Sequence, residues 1–178
     1  MDLSYRQRIG KAVTYMIIIS LAALIQNTDG LTLEIGGARC FLLLPVCMII
    51  GIGEDEFWAG MLGLFGGMLW DLTAARHHGF NAVFICLFCF FCAALITYYV
   101  RATFLTGFIF SAAEIFAYCL LYWLFFIIFK NMQGSELTLF SFYIPSAIYT
   151  IAVTPIVWLC ISPVKKALNR PAVPAIKK

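Results

Sequence analysis

Charge is what this sequence has least of. Aspartate, glutamate, lysine and arginine make up 12% of its 178 residues against 63% hydrophobic, and the mean hydropathy is +0.94. A soluble domain is about a quarter charged. So few charges could not shield so apolar a core from water, and lipid is the expected solvent. The net charge of +3 is too small to point to nucleic acid. Histidine is nearly missing: His77 and His78 are adjacent, and neighbouring rings splay apart, which leaves little for a metal centre or a general base. There is no glycine loop followed by lysine, no Gly-x-Ser-x-Gly elbow and no pair of catalytic carboxylates. Neither an enzyme nor a cofactor is expected. Solenoid-length repeats and low-complexity segments are absent too.

Cysteine is present in some number, seven in all, but inside apolar runs. Cys86, Cys89 and Cys92 fall at helical spacing among phenylalanines, and read as small, soft packing residues rather than a metal or iron–sulfur set. Arg6, Arg8 and Lys11 precede the apolar run Val13 to Ile25. No small-residue cleavage site follows, so this run reads as a retained first span rather than a signal peptide.

The hydropathy pattern predicts an all-α membrane protein, a bundle of about six transmembrane helices. The expected spans are 11–26, 40–52, 54–72, 80–99, 104–129 and 137–161. They form one polytopic membrane domain over 1–164, with a basic cytoplasmic tail over 165–178. The second is short for a crossing of about 20 residues; it is expected to start earlier, to tilt, or to be partly re-entrant. With the N-terminus inside, nine lysines and arginines lie on the cytoplasmic side and three, Arg39, Arg76 and Lys130, on the outer side. That bias places both termini in the cytoplasm and the protein in a bacterial inner membrane as a multi-pass protein.

Ala59, Gly63, Gly67 and Asp71 recur every four residues along the third span and share one face. Small residues at this spacing let helices approach closely. Packing inside the bundle is the commoner use; the alternative is a docking face for another protein's helix, with Asp71 as an anchor that could pair with Arg76. Glu54, Asp55 and Glu56 open the same helix, where carboxylates meet the positive end of its dipole. Glu114 lies mid-span in the fifth helix, where an ionised carboxylate costs about 2.5 kcal/mol or more. Ser111 and Tyr118 share its face. The three are candidates for a buried polar cluster or a pocket.

The stretch Gly60 to Asp71, followed by Gly79, Asn81 and Ala82, resembles the MreD rod shape-determining family. Its members tend to show a glycine-rich helix ending in Gly-Leu-Leu-x-Asp, then a glycine eight residues on, then His or Asn and Ala. The closing helix with Ile144-Pro-Ser-Ala-Ile-Tyr149 is similar as well, whereas Ala38-Arg39 departs from the family's Pro-Asp pair. The resemblance implies a non-enzymatic scaffold of the bacterial cell-wall elongation complex, binding MreC and through it RodA, the class B penicillin-binding transpeptidase and MreB. It also implies a fold similar to the six-helix substrate-binding subunits of energy-coupling-factor transporters. The alternative is such a vitamin-importer subunit itself. The first helix lacks the Ala-x-x-x-Ala face that those subunits use for docking: Ala12 is followed by Met16, Ala22 by Gln26 and Ala23 by Asn27.

Overall fold

The computed structural model describes residues 5–28, 34–35, 37–74, 79–125 and 139–169. Six α-helices follow in order: α1 Tyr5–Asn27, α2 Leu43–Gly51, α3 Glu56–Ala74, α4 Phe80–Tyr98, α5 Phe104–Trp123 and α6 Ile144–Leu168. A π-helical turn, Leu139–Tyr143, leads into α6. A two-residue hairpin, β1 Glu34–Ile35 and β2 Ala38–Arg39, stands between α1 and α2, with Gly37 at φ +87° in its turn.

Four of these segments are long and apolar enough to cross a membrane: α1, α4, α5 and the continuous helix Leu139–Leu168. Their outward faces carry stripes of large apolar side chains, such as Val83, Leu87, Phe91 and Leu95 on α4 and Val13, Ile17, Leu21 and Leu24 on α1. Surfaces of that kind are compatible with lipid as the surrounding solvent.

The expected second span is a different object. The helix α2 has nine residues, about 14 Å of rise, against a hydrocarbon core of about 30 Å. All nine are buried, and α2 touches every other helix of the bundle. It is a central post between an α1–α3–α4 group and an α5–α6 pair. The helix α3 has the length of a span, but glycines, Glu56 and Asp71 dilute its apolar character, and it is not among the four. Six α-helices are therefore present among the described residues, four of the segments having the character of spans.

A short helix in an apolar interior leaves end groups that its own turns cannot pair, and a buried group left unmet costs several kcal/mol. Side chains of α1 and α6 meet them. Gln26 accepts from Leu43 N at 2.8 Å, and Thr150 accepts from Phe41 N at 3.0 Å. At the other end the Lys165 ammonium donates to the carbonyls of Ile49 and Ile50, both at 2.8 Å, and of Ile52. Lys165 and Lys166 belong to the last turn of α6, which continues past Pro163 to Leu168; the basic tail expected from residue 165 onward is helical over its first four residues.

The tightest pair is α3 against α4. A Cβ on Gly63 would stand 2.8 Å from Ile85 O, and one on Gly67 would run into the Ala82 backbone. Gly60 faces Phe90 and the Cys86 carbonyl; Gly66 faces Cys47 of α2 and Ile19 of α1. All seven cysteines are free thiols, and Cys47, Cys86 and Cys89 lie opposite these glycines. Gly67→Ala is therefore expected to lower unfolding stability by about 1–3 kcal/mol or more through overpacking. Gly10→Ala, in open space on α1, should be neutral or up to about 1 kcal/mol stabilising. Thermal unfolding of both variants in the same detergent checks the contrast.

Candidate functional site

The ends of the helices nearest the hairpin enclose an aromatic chamber. Trp70 of α3 stacks on Tyr118 of α5 at 5.1 Å, and Phe41, ahead of α2, lies 5.7 Å from Trp70 and 5.5 Å from Tyr118. Tyr122 bridges Tyr118 and Tyr143 at 5.7 and 5.8 Å. These rings wall a cavity of about 220 Å³, whose polar lining comes from Gln26, Asn27, Arg39 and Asn81. Asn27 Nδ2 is buried and has no hydrogen-bond partner among the described residues. Small-molecule pockets run to about 300–1,000 Å³, so this one suits a small ring or a single inserted side chain better than a nucleotide. None of Gln26, Asn27, Trp70 and Phe41 stands out in the sequence as a site residue. The available signal is an amide pair at the end of an apolar helix, where a lipid-exposed residue would be apolar.

Beside the chamber, Asp71 fastens α3 to α4. Its carboxylate accepts from Ala82 N at 2.9 Å and from Asn81 N at 3.4 Å, capping the N-terminus of α4, where Gly79 turns at φ +93°. Asn81 in turn accepts from the Tyr118 hydroxyl at 2.9 Å. The aspartate is thus buried at a helix dipole rather than solvated. Its proposed pairing with Arg76, like the reading of His77 and His78, lies outside the described residues.

The stripe Ala59, Gly63, Gly67 and Asp71, offered by the sequence as a docking surface, is covered from within the chain. Ala59 packs on Gly51 of α2, Gly63 and Gly67 pack on α4, and Asp71 caps α4. A partner's helix has no access to it. The physical reason is the close backbone approach that glycine permits: the adjacent helix fills the face first.

Glu114, Ser111 and Tyr118 do share one buried face of α5. They do not form one hydrogen-bonded cluster. Tyr118 bonds to Asn81, while Ser111 Oγ and both carboxyl oxygens of Glu114 are buried without a hydrogen-bond partner among the described residues. Cys47 of α2 and Cys89 and Cys92 of α4 lie within electrostatic reach of Glu114. The acid triplet also divides its work. Asp55 caps α3 through Phe57 N at 3.1 Å, and Glu56 accepts from the Tyr98 hydroxyl at 3.3 Å. Glu54, buried, pairs with Lys11 at 2.6 Å and accepts from Tyr15 at 3.1 Å. Among the described residues no three His, Cys, Asp or Glu side chains come together as a metal site.

No family model, no curated protein and no solved structure matches the chain.

Two expectations follow for the interior groups. Because Glu114 has no hydrogen-bond partner among the described residues, Glu114→Leu should leave the melting temperature unchanged or higher; a drop of several degrees would reveal a partner that holds the carboxyl. Burial pushes the Cys40 thiol up to about 11, against a hydrogen bond with Thr150 that works the other way. A variant retaining only Cys40 should react with maleimide about tenfold faster per pH unit from 7 to 10. Levelling near pH 9, as for a water-exposed thiol, would contradict the burial.

Proposed function

We propose that this chain is a non-enzymatic membrane scaffold of the bacterial cell-wall elongation complex, binding MreC and through it RodA, the class B penicillin-binding protein and MreB. In this reading it is a multi-pass inner-membrane protein with both termini in the cytoplasm. The described basic side chains Arg6, Arg8, Lys11, Arg101, Lys165 and Lys166 lie towards one end of the bundle and Arg39 at the other, which agrees with that orientation.

The observation that carries the reading concerns the motif on which the resemblance rests. Gly67, Asp71, Asn81 and Ala82, separated by up to 15 positions in sequence, meet at one knot between α3 and α4. Those residue types are what the knot demands: glycine for contact with the Ala82 backbone, a carboxylate for the end of α4, an amide to reach Tyr118. With the glycine face spent inside the bundle, a partner helix is expected on one of the outward apolar faces.

A second reading, a substrate-binding subunit of an energy-coupling-factor importer, draws on the aromatic chamber with its amides. The chamber is small for a vitamin, and the first helix lacks the docking face described above.

Affinity purification from native membranes in mild detergent, with mass spectrometry of the recovered proteins, separates the two. Recovery of MreC with RodA or the transpeptidase is expected. Recovery of a transport ATPase pair and its coupling subunit would instead make the chamber a ligand site and overturn the scaffold reading.

A further inference from the structure

We propose that the basic end of the bundle holds a binding site for the phosphate of an anionic lipid headgroup, in the pocket beneath Lys165 and Lys166. The pocket measures about 530 Å³, within the range of ligand sites. Its polar lining is Lys165, Lys166, Ser162 and Asn169, and its apolar lining includes Trp158, Ile49 and Ile52. Among the described residues no carboxylate lines it. Glu54, which acts on Lys165 from nearby, is already paired with Lys11 and hydrogen-bonded to Tyr15. Two cations therefore face one cavity with no carboxylate of the described residues in its wall.

Their roles differ. The Lys165 ammonium spends its three N–H bonds on the carbonyls that close α2, so it lends the pocket charge rather than donors. Lys166 is exposed and makes no hydrogen bond or ion pair among the described residues. The Ser162 hydroxyl is likewise uncommitted. Asn169 accepts from Lys11 at 2.7 Å through Oδ1, which leaves its amide N–H groups to donate. Ammonium, hydroxyl and amide donors around one space are the equipment for a phosphate oxygen set.

The neighbourhood favours a lipid as the source. Trp158 and the isoleucines continue the pocket wall along α6 and α2, and the exposed Ile156 and Leu159 carry the same surface into the lipid-facing side of α6. A headgroup could enter there with its acyl chains remaining outside. Basic pockets between transmembrane helices recognise anionic headgroups in this way. The proposal does not depend on the scaffold reading, because the α3–α4 knot that carries that reading lies outside the pocket.

The test uses the delipidated full chain in detergent, titrated with dioctanoyl phosphatidylglycerol, dioctanoyl phosphatidylcholine or inorganic phosphate. Thermal unfolding and native mass spectrometry are the readouts. Phosphatidylglycerol is expected to bind roughly tenfold or more tightly than phosphatidylcholine, since each lysine near a headgroup is worth about fivefold. Lys166→Gln should weaken it about fivefold, while Arg6→Gln, on the exposed start of α1, should leave it unchanged. Equal affinity for the two lipids, or equal loss in both variants, would show only diffuse surface charge and overturn the site. Protection by inorganic phosphate at the same concentration would make it a small-anion site and overturn the headgroup assignment.

Discussion

A nine-residue helix buried on every side has two ends that it cannot pair by itself, and much of this molecule is arranged around that constraint. The helix α2 cannot cross a bilayer, yet every other α-helix touches it. Its first amide is met by Gln26 from α1 and its last carbonyls by Lys165 from α6, while Thr150 of α6 holds the amide of Phe41 just ahead of it. The first and last helices are thereby pinned to the centre through the groups the short helix cannot pair alone. A lysine near the end of a basic helix and a glutamine among alanines each look unremarkable in isolation. Placed against a buried helix end, each offsets a cost of several kcal/mol per unmet group.

The second organising contact is the α3–α4 pair. Glycine at 63 and 67 brings the two backbones into contact, and Asp71 closes the pair by capping α4. This explains why a surface that looks ready for a partner is already taken. Close approach is driven by small residues wherever a helix is near, and the nearest helix is the next one along the chain. The same pair sets the chamber, because Trp70 and Asn81 stand on its two members and Tyr118 leans across to both.

Polar chemistry is thus divided along the bundle. One end holds rings and amides around a small cavity; the other holds lysines around a larger one. Between them Glu114 sits in a region with thiols for neighbours and no hydrogen-bond partner in the described chain. The two pockets differ in the sign and kind of group they present, so they suit different occupants: a small ring or side chain at one end, a phosphate at the other.

The sequence by itself determined the apolar character and most of the helices. Sixty-three per cent apolar residues and helices such as Phe80–Tyr98 are compatible with lipid as the solvent, because local hydropathy is a sum over neighbours in the chain. It also carried the four-residue spacing of Ala59, Gly63, Gly67 and Asp71, since a helix converts that spacing into a face. What covers the face was decided only by the tertiary structure. Whether 40–52 would cross, tilt or be enclosed depended equally on groups more than a hundred residues away, as Lys165 reaching Ile49 shows. The division of Glu54, Asp55 and Glu56 into tether, cap and hydroxyl acceptor was likewise invisible locally, because three adjacent carboxylates differ only in what the fold brings to them. Periodicity is a property of the chain, and partners are a property of the space it encloses.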